Sequence, residues 1–246
     1  LKRPCKYSCP VDAITYDENG ISIIDKEKCI RCGKCIHSCP FGAIGSKTYI
    51  VNVIEALQSG KKVYAMAAPA TEGQFGRDIT MASWKNAMLE LGFDDFYDVG
   101  LGGDMTAAYE AEEWAEAYKE GKKKVTSCCP AFVNMVRLHY PQLAECVSTT
   151  VSPMCAVSRL IKAKDPDAVT VFIGPCLAKK SEVVDQKIPG NADYVLTYSE
   201  LRAIMRAKGI SLQPCGNDDQ ISSVYGKRFA NSGGGTETVL QSLKAT

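Results

Sequence analysis

Cys29-Ile-Arg-Cys32-Gly-Lys-Cys35-Ile-His-Ser-Cys39-Pro40 is the stretch on which the reading of this sequence turns. Its spacing is C-x2-C-x2-C-x3-C-P. Three thiolates set two residues apart on a tight loop can converge on three corners of one iron–sulfur cubane. The fourth is carried off by three further residues and a proline, and so reaches a different cluster. A zinc site is the competing reading of any such cysteine set. His37 lies inside the loop, but four thiolates already satisfy a cubane, so it is expected at the surface.

Working outward, Cys9-Pro-Val-Asp-Ala-Ile14 echoes Cys39-Pro-Phe-Gly-Ala-Ile44 thirty residues later, an internal repeat. Each proline ends a ligand loop, and each Ala-Ile begins the apolar packing behind it. Ile21-Ser-Ile-Ile24 follows Asn19-Gly20, a hairpin signal. The segment resembles the two-cluster bacterial ferredoxins. Their pseudo-twofold arrangement gives Cys29, Cys32, Cys35 and Cys9 to one [4Fe-4S] cluster, and Cys39 and Cys5 to a second. Cys5 and Cys9 carry the x3 spacing that ends such a motif, so the two remaining ligands are expected upstream of Leu1. Alternatively, Cys5 and Cys39 are idle thiols and a single cluster forms.

Twelve cysteines in 246 residues are the compositional outlier. Their spacing reads as metal ligation in a reducing compartment rather than as a disulfide framework. A net charge of +1 gives no reason to expect nucleic acid or an anionic membrane as partner. The longest apolar run, Val63 to Ala70, is far short of the ~20 residues a spanning helix needs. The opening Leu-Lys-Arg-Pro-Cys has no signal-peptide core. A cytoplasmic protein without membrane contact is the expectation, and the missing initiator Met suggests a fragment.

Two domains are expected, residues 1–46 and 47–246. The first is an α+β ferredoxin-like segment, truncated at its start. The second is an α/β layered domain with a mainly parallel sheet, because strands alternate with helices along it. Helices are expected over Tyr49–Leu57, Ile79–Leu91 (stopped by Gly92) and Met105–Tyr118. Strands are expected over Val63–Ala67, Phe96–Val99, Val125–Ser127, Val169–Ile173 and Tyr194–Leu196. Thr197-Tyr-Ser-Glu200 is a capping box opening a helix that ends at Gly209.

In such sheets ligands sit at the carboxyl ends of strands, and two cysteine sites are expected there. Val125-Thr-Ser-Cys128-Cys129-Pro130 leads from a strand into a helix whose first turn suits proline. Val171-Phe-Ile-Gly174-Pro175-Cys176 follows another, with Lys179, Lys180 and Glu182 close behind. Vicinal cysteines can hardly ligate one metal, so one of the pair must point to a cluster and the other elsewhere.

Thr126-Ser-Cys-Cys-Pro130 resembles the first signature of [FeFe]-hydrogenases. Gly174-Pro-Cys-Leu-Ala-Lys-Lys-Ser-Glu182 resembles the second, with Gly where the best-known members have Met. Ala67-Ala-Pro-Ala70 and Leu101-Gly-Gly-Asp104 resemble further stretches of the family. The resemblance implies that Cys129 and Cys176 are two of four ligands to the [4Fe-4S] part of the H-cluster. It implies that Cys128 exchanges a proton beside the open iron of the diiron part, and that Lys179 hydrogen-bonds a cyanide there. Ala68, Pro69 and Met154 would line the diiron pocket, and Glu110, Glu113 and Ser148 would relay protons. The substrates implied are protons and H2, with an electron donor or acceptor such as ferredoxin. Glu110 and Glu113 also fit a solvated helix face by their i,i+3 spacing, and Cys146, Cys155 and Cys215 are expected as buried thiols.

The family's third signature, with its two further cysteines, is absent from these residues. The expectation is a hydrogenase fragment, inactive alone, or a chain completed by a partner chain. The rival is a non-catalytic iron–sulfur sensor or cluster-assembly protein on the same fold.

Overall fold

The computed structural model describes residues 3–216 and 222–245. Leu1, Lys2 and Thr246, at the ends of the two expected domains, lie outside the described residues. The N-terminal segment comprises α1 (Pro4–Tyr7), β1 (Ile14–Tyr16), β2 (Ser22–Ile24) and α2 (Lys34–Ser38). β1 and β2 pair antiparallel with Ile14 opposite Ile24. The loop between them is closed by Asp17, whose Oδ1 accepts from Ile21 N at 2.7 Å.

The larger unit follows as α3 (Ile50–Gln58), β3 (Val63–Ala67), α4 (Met81–Leu91), β4 (Asp95–Asp98), α5 (Gly100–Lys119), α6 (Pro130–His139) and α7 (Pro153–Lys164). It continues with β5 (Val169–Ile173), α8 (Lys179–Glu182), β6 (Tyr194–Leu196), α9 (Tyr198–Lys208), α10 (Val224–Arg228) and α11 (Gly234–Ala245). Its four strands form one parallel sheet in the order β4-β3-β5-β6.

Strand periodicity explains the layering. Val63, Ala65 and Ala67 of β3, with Val171 and Ile173 of β5, face a core built with Val53, Trp84, Met88, Leu91 and Leu201 from α3, α4 and α9. Met66, Phe172 and Val195 point the other way, onto Met154, Val157 and Ile161 of α7. Helices thus cover both faces, which is why these strands read as near-continuous apolar runs. α5 packs outside α7 and carries α11 on its flank. Among the described residues no helix is long and apolar enough to cross a membrane.

Local signals set most boundaries. Thr197 and Glu200 form the expected reciprocal cap, and Gly209 ends α9 in a left-handed conformation. Thr80 and Ser83 cap α4 in the same way. Two expectations are corrected. α5 starts at Gly100 rather than Met105, because Asp98 Oδ1 accepts from Gly100 N at 2.7 Å and opens the helix through residues of low propensity. Val125–Ser127 is not a strand: only Val125 forms a bridge, to Val147, and the segment runs on as a loop into α6.

Ile173, completely buried between the α3/α4 layer and its neighbours in β5, reports on this core. Ile173→Ala is expected to lower unfolding free energy by about 2–5 kcal/mol, read as a fall in the urea midpoint with an unchanged slope.

Candidate functional site

Cys9, Cys29, Cys32 and Cys35 line one small cavity with Ile14, Ile24 and Ile30. The repeat seen in the sequence is reproduced in detail. Ala13 N donates to Cys9 Sγ at 3.3 Å, and Ala43 N to Cys39 Sγ at 3.4 Å. Such N–H groups favour the thiolate; those of Ala43 and Phe41 hold the Cys39 thiol below its ordinary range. Burial pushes Cys35 up. Cys5 is buried, with its sulfur 3.2 Å from the Tyr16 hydroxyl. His37 is exposed, as expected.

The cluster loop is seated on the larger unit. A Cβ at Gly33 would lie 2.4 Å from the Leu177 side chain, so only glycine lets this turn press against the residue after Cys176. Asn134 Nδ2 donates to Ile30 O at 3.4 Å, and His139 Nε2 lies 2.9 Å from Lys28 O. Lys180, buried, donates to Lys47 O at 2.8 Å and to Glu200 Oε1 at 2.7 Å, tying the connecting segment to α9.

Cys176 sits just beyond the carboxyl end of β5, as expected. Cys129 is exposed at the start of α6, whereas Cys128 is partly buried against Ala107, Ala111, Phe229 and Val239. The vicinal pair therefore points in two directions. Burial pushes the Cys128 thiol up, opposed by Thr126 and by the Lys179 charge. Lys179 joins the two cysteine loops: its Nζ donates to Cys128 O at 3.2 Å and to Glu182 Oε2 at 2.7 Å. Glu182 also accepts from Ser152 Oγ, and all three side chains are buried. Ala68 and Met154 share the apolar cluster on that side of the sheet, and Pro69 opens the turn after β3. At Gly174, a Cβ would meet Phe172 Cε1 at 2.8 Å and Ala68 Cβ at 2.9 Å. A larger residue there requires Phe172 to move.

Glu110 and Glu113 are not a solvated face. Glu110 is fully buried; its Oε1 accepts from Ser127 N at 3.1 Å, and its Oε2 has no partner. Burial raises its carboxyl above the ordinary range, and the neighbouring Glu113 adds to this. Glu113 accepts from Ser148 Oγ at 2.6 Å and from Lys124 Nζ at 2.8 Å. Burial pushes Glu113 up too, but Lys124, Ser148 and the Thr149 N–H outweigh it and hold the carboxyl below the ordinary range.

The residues suit the groups that the sequence implies. Four thiolates around one cavity match a cubane, which takes one thiolate per iron. Cys129 and Cys176 lie on the two loops that Lys179 joins, and offer two of the four thiolates a cubane takes. Cys155 is buried as expected, but Cys146 and Cys215 are only partly so, a correction. Lys124, Glu182 and Ser152 carry no sequence expectation of their own. The i,i+3 spacing of Lys179 and Glu182 was a usable signal; Lys124, within Lys122-Lys-Lys124, had none.

Residues 61–246 match the family model described as iron only hydrogenase large subunit, C-terminal domain, and residues 1–50 match the LdpA Fe-S cluster-binding domain. The chain is 29% identical to iron hydrogenase 1 of Clostridium pasteurianum, over 98% of this chain and 55% of that protein. It is 30% identical to the NADP-reducing hydrogenase subunit HndD of Solidesulfovibrio fructosivorans, over 78% of this chain and 37% of the relative. It thus spans about half the length of these relatives or less. A solved structure of a [FeFe]-hydrogenase variant from Chlamydomonas reinhardtii superposes with a TM-score of 0.62 at 26% identity, covering 79% of this chain and 57% of that one.

The opposite environments of the two glutamates predict opposite pH effects. Glu110 binds its proton more tightly folded than unfolded, so it lowers stability as pH rises above about 4.3, the value of a free glutamate. Glu113 binds its proton less tightly when folded; it adds stability above that pH, lost as pH falls through its folded value. In melting curves, Glu110→Gln is expected to gain on the wild type as pH rises from 4 to 7. Glu113→Gln is expected to fall behind the wild type as pH rises from the folded value of Glu113 to about 5, and to keep a constant deficit above that.

Proposed function

The chain belongs to the iron-only hydrogenase large-subunit family, and on that premise we propose that it serves reversible reduction of protons to H2, with electrons entering through the N-terminal iron–sulfur segment. The observation that carries this reading is Lys179, buried and bound at once to the backbone of Cys128 and to Glu182. It unites the two cysteine signatures in one pocket. Cys9, Cys29, Cys32 and Cys35 would hold one [4Fe-4S] cluster, and Cys5 and Cys39 belong to a second. Cys129 and Cys176 would supply two thiolates to an H-cluster. When bound, that group supplies the redox chemistry of H2.

The protein's own residues supply the rest. Cys128, partly buried and pointing away from the Cys129 direction, exchanges a proton with the reacting centre. Glu110, whose hold on a proton burial strengthens, stands behind it, followed by Ser148 and Glu113 toward solvent. Lys179 keeps one N–H beyond the two already used, since an ammonium carries three, and offers it to an anionic ligand in the pocket. Ala68, Pro69 and Met154 exclude water. The contact of Gly33 with Leu177 brings the first cluster's loop against the Cys176 turn, a short route for electrons. A protein electron carrier such as ferredoxin is the partner this arrangement calls for, and domains of 1–46 and 47–246 divide the labour.

A second reading, a non-catalytic redox sensor or cluster-assembly protein on the same fold, is favoured by the absence of the third cysteine signature from these residues. Cys128→Ala separates the two. In the protein with all its H-cluster ligands present, reconstituted anaerobically and loaded, the catalytic reading expects this variant to retain its iron and lose H2 turnover by about 10²-fold or more. A sensor expects little turnover in either protein. Loss of iron would make Cys128 a ligand instead. For the N-terminal segment, Cys32→Ser is expected to remove one reduced [4Fe-4S] resonance signal and leave any other. Zinc in place of iron in the wild type overturns that assignment.

A further inference from the structure

The α5 carboxylates end at a lysine that belongs to no motif. Lys122 and Lys123 on either side of the turn are exposed. The Lys124 side chain is only 16% exposed, and its ammonium lies 2.8 Å from Glu113 Oε1. Glu113 is otherwise met by hydroxyls and an amide: Ser148 Oγ donates to Oε2 at 2.6 Å and Thr149 N at 3.2 Å. The charged groups set against it are Lys124, from the segment after α5, and Glu110, one helical turn back. Glu110 has no cation, and one of its oxygens is unpartnered in the interior.

Resting on the hydrogenase reading, we infer that Lys124 is the positioning residue for proton exit, its ammonium fixing Glu113 as the solvent-side acceptor toward which Ser148 donates. The transfer balances without any electron moving. The Glu110 O–H bond breaks and its proton passes to the Ser148 oxygen. The Ser148 proton passes to Glu113 Oε2, and Glu113 releases it to water. A cation beside Glu113 weakens its hold on that proton, so release is not the slow step. Proton uptake runs the same sequence backward.

The full chain without loaded clusters gives the first test. With ¹³C-labelled glutamate, the Glu113 carboxyl is followed by NMR and assigned by its loss in Glu113→Gln. Lys124→Met is expected to raise its titration midpoint by about one pH unit, and Lys124→Arg to restore it. In the loaded protein, the acid limb of the pH profile for H2 oxidation is expected to move up by the same amount in Lys124→Met, and to return in Lys124→Arg. An unmoved midpoint overturns the inference, and so does a moved midpoint with an unmoved profile. If the loaded wild type turns over no H2 even with all its H-cluster ligands present, the hydrogenase reading fails, and the midpoint alone decides whether Lys124 governs Glu113.

Discussion

The buried ammonium of Lys179 is the constraint around which the rest of the larger unit is arranged. An unpaired charge in an apolar interior is costly enough that proteins either neutralise it or pair it. Here Glu182 lies one helical turn away at 2.7 Å, and Ser152 at the start of α7 satisfies its other oxygen. That pairing has a structural consequence. It fixes α8 to the N-terminus of α7, and the second Lys179 bond, to Cys128 O, fixes the loop before α6 to the turn after β5. Three segments distant in sequence are thus registered by one side chain. Removing one partner of such a pair typically costs about 3–5 kcal/mol, because the other charge is left stranded.

The same logic, applied to the next lysine, explains how the N-terminal segment is held. Lys180 turns to the opposite side and meets Glu200, which is already engaged in capping α9. Its remaining bonds go to Ser46 and Lys47 O. Two adjacent lysines therefore divide the work. One organises the pocket, and the other anchors the connection that delivers the cysteine loop to Leu177. The Gly33 contact has room to form only because that anchor sets the approach.

What the sequence discloses, and what it hides, follows from the range of the interactions. The cysteine spacing is local, so the loop, its repeat and the Ala13 and Ala43 amides behind it could be anticipated from a few residues. The parallel sheet was legible because β3 and β5 are buried on both faces and read as apolar runs. Capping at Thr197 was legible because both partners lie within four residues. The start of α5 was not, since Gly100, Gly102 and Gly103 argue against a helix locally and Asp98 supplies its first acceptor. The extended run at Val125 reads as a strand, yet it finds only Val147 to pair with. Glu110 meets Ser127 and Ser148 from two loops packed on α5, neither of which a helical wheel contains.

The two glutamates show why the position of a charge matters more than its kind. Glu110 and Glu113 occupy one face of one helix, less than a turn apart, and begin with the same intrinsic affinity for a proton. The interior around Glu110 offers the Ser127 amide and the Ser148 hydroxyl, and burial outweighs both in raising its hold on a proton. Three residues later the helix emerges beside Lys124, and the ionised form is favoured. On the proposed reading, a proton on Glu110 passes by way of Ser148 to Glu113, the carboxylate with the weaker hold on it. The direction is set by environments that α5 itself does not supply. Glu110 is bonded by Ser127, whose loop Lys179 holds in place through Cys128, and so the buried ion pair bears on the environment of Glu110 as well.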